Sequence, residues 1–305
     1  MKKIVLAAVL ATASLAATAQ VSLSGKVSEW VDNTKVGSTK STSMVTEPTS
    51  NFAIGAKESL GKDLVARAVV ETSLSGNTID GSGTKLGDRQ MTVGFATKLG
   101  SIDFGRNVHS HFLAVTSNDA FGTLYGSVAG DVHNLRGLRM GDAVFVTVNP
   151  VKNVALSYDR AQGGAEAFGV NSSVMGFNVA VARFQNGSET SNVLAFNRKF
   201  GKATTAFFSH SDDRGAVNSK GDLVGATHRM GHITLKASYG RQTNDLNPFV
   251  VGPSSKPDTS VTAYALGADY HLSKRTEVGV AFKNVNRFGS DNDVQTVGLG
   301  FTHRF

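Results

Sequence analysis

The 305 residues include no cysteine, so an exported form of the chain has neither a disulfide scaffold nor thiol chemistry to draw on. Beyond Ala19 no run of eighteen apolar residues occurs, which excludes a membrane-spanning helix. A formal net charge of +7 would suit nucleic acid if the basic residues clustered. They are scattered, and no nucleic-acid partner is expected. The chain also lacks a G-x-S-x-G elbow, an H-E-x-x-H helix, a P-loop and a G-x-G-x-x-G in strand–helix context. Neither an enzyme nor a cofactor is indicated by those motifs.

What is present begins with the first nineteen residues. Lys2 and Lys3 precede an apolar stretch from Ile4 to Leu10, and Ala17-Thr18-Ala19 forms an A-x-A cleavage site. That order is a secretory signal peptide over 1–19, with mature chain from Gln20. The apolar stretch is too short and too rich in small residues to anchor in a bilayer. Losing Lys2 and Lys3 takes the net charge from +7 to +5.

Downstream, the period is two. Val21-Ser-Leu-Ser-Gly-Lys-Val-Ser28 alternates apolar or glycine with polar residues. At the other end, Val297, Leu299, Phe301 and Phe305 share one face, and Thr296, Gly298, Gly300, Thr302 and Arg304 the other. Similar segments lie at Leu64–Leu74, Met91–Leu99, Val144–Val148, Phe177–Val181, Ile233–Tyr239 and Val278–Phe282. Such strands are half buried. Seven tight junctions separate strand pairs: Leu60–Asp63, Leu99–Ser101, Asn149–Asn153, Met175–Phe177, Phe200–Lys202, Met230–His232 and His271–Arg275. Each is a hairpin turn. Between them, polar stretches such as Lys35–Ser50, Gly76–Gly87 and Asp245–Asp258 read as longer loops.

Short periplasmic turns at one end and long extracellular loops at the other describe an all-β, membrane-spanning antiparallel barrel over 20–305. The turns count sixteen strands. Weak segments at Glu166–Val174 and Asp222–Met230 leave fourteen as the alternative, with eighteen a remoter one. A soluble sandwich also alternates, but its core has no place for Lys26, Lys57, Arg67, Glu71, Arg139, Lys236, Glu277, Lys283 and Arg304 on one face. A lipocalin-like binder needs about half this length.

Several runs, in order, resemble the trimeric general porins of Gram-negative bacteria. They are Gly25 in the first strand, Ile54-Gly-Ala-Lys-Glu-Ser-Leu-Gly61, Arg89-Gln-Met-Thr-Val-Gly-Phe95 and Leu99-Gly-Ser-Ile-Asp-Phe-Gly-Arg106. The segment from Arg139 to Pro150, Leu272-Ser-Lys-Arg-Thr276 and the closing Phe301-Thr-His-Arg-Phe305 complete the set. The resemblance implies a homotrimer in outer-membrane lipid and lipopolysaccharide, passing small polar or anionic solutes. It implies that Phe305 is a signal for barrel assembly as well as an interfacial aromatic. It also implies that the poorly alternating stretch 107–138 folds into the barrel as a constriction loop, with Asp119 and Asp131 as its acidic candidates.

Opposite that loop the resemblance expects a basic wall. Arg139 shares the parity of Ala143 and Phe145, and Arg67 opposes Leu64, Ala66, Ala68 and Val70. Lys57 is out of phase with Phe52 and Ile54, so all three face the lumen. Arg89 has the parity of Met91, Val93 and Phe95 and is expected outside or at the rim, leaving Gln90 as the lumen residue. Asn51 stands where relatives often carry arginine. The expected pore is weakly anion-selective, through opposite charges facing each other across a narrow aqueous gap. Alternatives are a structural or adhesive barrel with a plugged lumen, or an outer-membrane hydrolase. His109 and His111, two apart in a long loop without a third ligand nearby, read as solvated residues rather than a metal site.

Overall fold

The computed structural model describes residues 20–75, 85–122, 124–135, 137–215, 217–246, 259–287 and 293–305. The expected signal peptide, residues 76–84 of Gly76–Gly87 and residues 247–258 of Asp245–Asp258 lie outside them. One antiparallel sheet closes on itself. It comprises β1 (Gln20–Val36), β2 (Thr39–Thr46), β3 (Asn51–Gly61), β4 (Leu64–Ser73), β5 (Gln90–Thr97), β6 (Gly100–Val108), β7 (Arg139–Val151) and β8 (Val154–Ala161). It continues with β9 (Glu166–Val174), β10 (Phe177–Asn186), β11 (Glu189–Phe200), β12 (Thr204–Arg214), β13 (Val217–Met230), β14 (Ile233–Leu246), β15 (Thr259–His271), β16 (Thr276–Arg287) and β17 (Val294–Arg304). Each strand pairs with its sequence neighbour except β2 with β3, which both pair with β1, and β17 returns to β1 with Lys26 opposite Arg304 and Val36 opposite Val294. Closure of β17 on β1 joins the two ends of the sheet, the condition for strands to stand in a bilayer.

Seventeen strands fill sixteen positions around the ring. The upper half of β1 pairs with β2 and its lower half with β3, so those two strands form one interrupted stave. The interruption is Glu47–Ser50, where Pro48 has no N–H to give the ladder. Ser28 spans it: its backbone oxygen accepts from Glu47 N at 2.9 Å, and its N–H donates to Ser50 Oγ at 3.1 Å. The expected long loop Lys35–Ser50 is therefore mostly a hairpin turning at Gly37-Ser38. Thr39-Lys-Ser-Thr-Ser-Met-Val-Thr46 is polar on both faces, so it carries no alternation to read.

All seven tight junctions fall between strand pairs, as at Met175-Gly176, where φ is +52° and +79°. Paired positive φ values match hairpin twist. The contrast with the other rim is weaker than expected. There β1–β2, β10–β11 and β12–β13 turn within two residues and β8–β9 within four.

Parity sorts the walls. Val21, Leu23, Val31, Met91, Val93, Phe95, Leu194, Leu266 and Leu299 project outward as an exposed apolar belt. The inward rows are polar, small or charged. Buried apolar side chains gather where the segment 109–138 lies inside the barrel. One cluster joins Phe121, Val128 and Val132 to Leu223, Ala263, Ala265, Ala281 and Val285. A second joins Ala114, Val115 and Ala129 to Ala180, Ala182, Val193 and Ala195. Two of the apolar clusters are thus contacts between this loop and one arc of wall, and a third, of Met140, Ala143, Phe145, Ala167 and Phe184, lies within the wall itself.

Candidate functional site

The loop begins as a short helix, α1 (Ser110–Thr116), capped by His109. The His109 Nδ1 accepts from Phe112 N at 3.2 Å while Nε2 meets the Gly137 carbonyl at 2.8 Å. That assigns the proton to Nε2 and ties the loop's start to its finish. Ser110 N donates to the buried Asp159 at 2.6 Å, and His111 Nε2 bonds Ser191 Oγ at 2.7 Å. Both histidines are buried rather than solvated, because α1 turns them toward the β8–β11 wall. Among the described residues no group of three or more His, Cys, Asp or Glu could hold a metal ion.

From α1 the loop crosses to the far side. Asn118 Oδ1 accepts from Asn197 at 3.0 Å, Phe121 lies over Gly267, and Tyr125 stacks on Trp30 with ring centroids 4.1 Å apart. The stack is worth about 1 kcal/mol beyond its buried area. Tyr125 N donates to Glu47 Oε1 at 2.7 Å, and Tyr125 Oη donates to Asp32 at 3.2 Å. Burial and the Asp32 carboxylate push that phenol upward, so it remains a donor. Glu47 is held in turn by Lys26 Nζ at 2.6 Å, both side chains being largely buried. The break in the second stave is what brings Glu47 within reach.

The return leg includes α2 (Ala129–Val132). Lys283 Nζ holds Asp131 at 2.9 Å and the Ser127 carbonyl at 3.1 Å. His133 bridges Ser211 through Nδ1 and Ser209 through Nε2, both at 2.8 Å. Burial pushes its pKa down to about 4.

The loop therefore lines the wall from β8 round to β1 and leaves the arc β3–β7 bare. On that arc the structure brings some expected residues together and redirects others. Arg67 makes a bidentate pair with Asp103, Nε to Oδ1 at 2.8 Å. Lys57 is exposed, directly across from Arg67 in register. Asn51 donates to Glu71 at 2.5 Å, and Gln90 to its neighbour Thr92 at 2.9 Å.

Arg89 lies at the rim, one of its two expected places, yet its side chain joins the lumen group. It precedes β5, so strand parity does not govern it, and its guanidinium turns inward to Glu71 at 2.5 Å and the Pro48 carbonyl at 2.7 Å. Arg139 reaches the same group by a different route than parity supposed. A bulge between Gly105 and Asn107 slips the β6–β7 register, placing Met140 in the buried row. The Arg139 guanidinium then sits in the field of Arg89, Glu71, Arg106 and Asp88, and its buried Nε has no hydrogen-bond partner among the described residues. Arg106 is fixed by the Asp88 carbonyl at 2.7 Å.

The two acidic candidates serve the loop itself. Asp119, 4% exposed, accepts from Phe121 N at 3.1 Å and Ser127 Oγ at 2.6 Å. It organises a turn rather than lining the gap, while Asp131 staples the return leg to Lys283. Sequence reading did not bring Glu47 or Asp103 to the site, put Lys26 on the polar face without a partner, and placed Arg89 outside or at the rim. The Pro48 break is a sequence mark that points toward Glu47.

Phe305 closes the ring. Its N–H and carbonyl exchange bonds with Gly25 at 3.0 Å each, and its ring lies where a Gly25 Cβ would be 2.4 Å from Cζ. Gly25 is the residue that leaves room for it.

A closed barrel with an apolar outer belt, a polar interior and an inward-folded loop is a membrane channel of the diffusion type. The chain belongs to the Gram-negative porin family, whose model matches residues 6–305, and is an outer-membrane porin. No curated protein matches it. Solved structures of similar fold include the anion-selective porin from Comamonas acidovorans, 18% identical with TM-score 0.76 over 94% of this chain and 100% of that one. Salmonella typhi OmpF in complex with daunomycin is 15% identical, with TM-score 0.74 over 93% and 97% of the two chains. The trimer form of OmpT from Vibrio cholerae is 12% identical, with TM-score 0.71 over 94% and 99%.

Proposed function

We propose that the pore is a passive, weakly anion-selective diffusion channel for small hydrophilic solutes and ions, narrowed between the loop 107–138 and the bare arc of wall. The observation that carries the selectivity is the charge on that arc. Lys57, Arg67, Arg89, Arg106 and Arg139 stand against Glu71, Asp88 and Asp103, and the loop's Asp119 and Asp131 are already engaged. A surplus of cationic groups beside a confined aqueous gap lowers the barrier for anions, and salt screens it. Gln90 and Asn51 contribute neutral polar lining, which keeps the preference weak. The anion selectivity named for the Comamonas acidovorans relative agrees with this reading. Reversal potential in a planar bilayer under a KCl gradient is expected to favour chloride; a cation-preferring potential overturns the selectivity.

The channel reading extends to the rest of the chain. Residues 1–19 act as a cleaved export signal, 20–305 form one barrel domain, and Phe305 serves barrel assembly. No catalytic role is assigned to the lumen. The working form is a homotrimer in outer-membrane lipid and lipopolysaccharide. Glu29 supports a covered flank: it faces outward between Val27 and Val31 and accepts from Thr46 Oγ1 at 2.8 and 3.0 Å. A carboxylate in an apolar outward row is unfavourable against lipid, and a neighbouring subunit removes that exposure. Mass measurement of the detergent-extracted protein is expected to give three chains; a monomer overturns it.

A further inference from the structure

Among the described residues, the loop's first helix turns an apolar side chain toward the lumen. Ser110, His111, Ala114 and Val115 are the buried residues of α1, packed on β8–β11. The opposite side of that helix turns Leu113 to the lumen, 49% exposed, flanked by the partly exposed Phe112 and Thr116 and by Ser117. Its two carboxylates point elsewhere, Asp119 into its own turn and Asp131 to Lys283. The lumen therefore holds the mixed but cation-rich charges of the bare arc and, on the loop's helix, a half-exposed hydrocarbon side chain.

We propose that this pore selects amphipathic monoanions: solutes with a carboxylate or sulfonate at one end and a short apolar tail at the other. The head group exchanges water for the Lys57, Arg67 and Arg139 side of the gap while the tail passes over Leu113 and Phe112. This rests on the channel reading above and adds the tail to it. Hydrophobic contact offsets part of the dehydration that a narrow passage imposes on the tail. A facing acidic loop would instead repel the same head group.

Two isosteric anions, permanently charged so that they do not cross lipid in a neutral form, test it. Propanesulfonate and isethionate differ by a terminal methyl against a hydroxyl. Bi-ionic potentials across planar bilayers holding the purified porin give their permeability ratio directly. Propanesulfonate is expected to be the more permeant, with the ratio falling about two- to threefold in Leu113→Ser, as befits partial contact with one methyl group. Leu113→Met, which keeps an apolar side chain, is expected to retain the preference. A wild-type ratio at or below one overturns the proposal, as does a ratio that Leu113→Ser leaves unmoved. Failure of the channel reading is distinguishable, because it appears as absent KCl conductance before any organic anion is added.

Discussion

The two arcs of this barrel use the same strand geometry for opposite purposes. Under the loop, inward positions are small: Ala180, Ala182, Ala195, Gly221, Gly240, Gly267, Ala263 and Ala281. On the bare arc they include long, charged residues: Lys57 on β3, Arg67 and Glu71 on β4, and Asp103 on β6. The clad arc is a socket cut to the loop's backbone. A Cβ on Gly221 would sit 1.9 Å from the Val132 carbonyl oxygen, and one on Gly298 would sit 2.4 Å from Tyr125 Oη. The bare arc has no partner to fit and is free to carry charge. Small inward residues thus record where the loop lies, whereas charge occurs on both arcs and under the loop is held in pairs such as Lys236–Asp269 and Lys283–Asp131.

The largest expected effect breaks the socket at the buried Lys26–Glu47 ion pair. Lys26→Met strands the Glu47 carboxylate, 2% exposed, at a cost of about 3–5 kcal/mol. The Tyr125 end of the loop is expected to release, read as faster proteolytic nicking within 107–138 at unchanged heat-modifiable barrel migration. Equal nicking rates mean that Glu47 is not a clasp. Next, Gly221→Val overpacks the return leg by about 3 kcal/mol. Single-channel conductance and the sugar-size limit in liposome swelling are expected to rise together; an unchanged limit breaks the division into clad and bare arcs.

A smaller effect comes with pH. Burial depresses His133 in the docked loop to about 4 from its ordinary 6.5, with Asp222 opposing and His210 reinforcing the shift. Docking is therefore fully supported above pH 6.5 and is lost progressively as pH falls to about 4, by at most about 3 kcal/mol. Gating frequency is expected to rise across that window and to lose this component in His133→Asn. A flat record from pH 7 to 4 sinks the assignment. The smallest effect belongs to the bare arc, where Arg139→Gln is expected to lower the anion-to-cation permeability ratio by about twofold. An unchanged reversal potential removes Arg139 from the constriction.

The barrel was largely legible because its signals are local. Period two over Val144–Val148 and Gly-bearing turns such as Met175–Phe177 depend on neighbours in sequence. The constriction was less so. Arg89 lies one residue outside its strand, where parity stops applying, and the Arg139 parity argument ran through a bulge that no residue pattern announces. Asp119 looked exposed because loop carboxylates usually are, whereas here the Phe121 N–H and Ser127 hydroxyl claim it. Glu47 works across 78 residues to Tyr125, and no window along the chain spans that separation.

The seam between β1 and β17 has a consequence for how the molecule comes into being. Lys26 through Val36 meet their β17 partners only after every intervening strand has been made, so loop-closure entropy is met last and in one step. Until then the nascent sheet has two raw margins of unpaired N–H and C=O groups, each a template for a foreign strand. The perilous period for this chain is its transit before that zipper shuts, and escort by chaperones bears on it more than any residue of the finished pore.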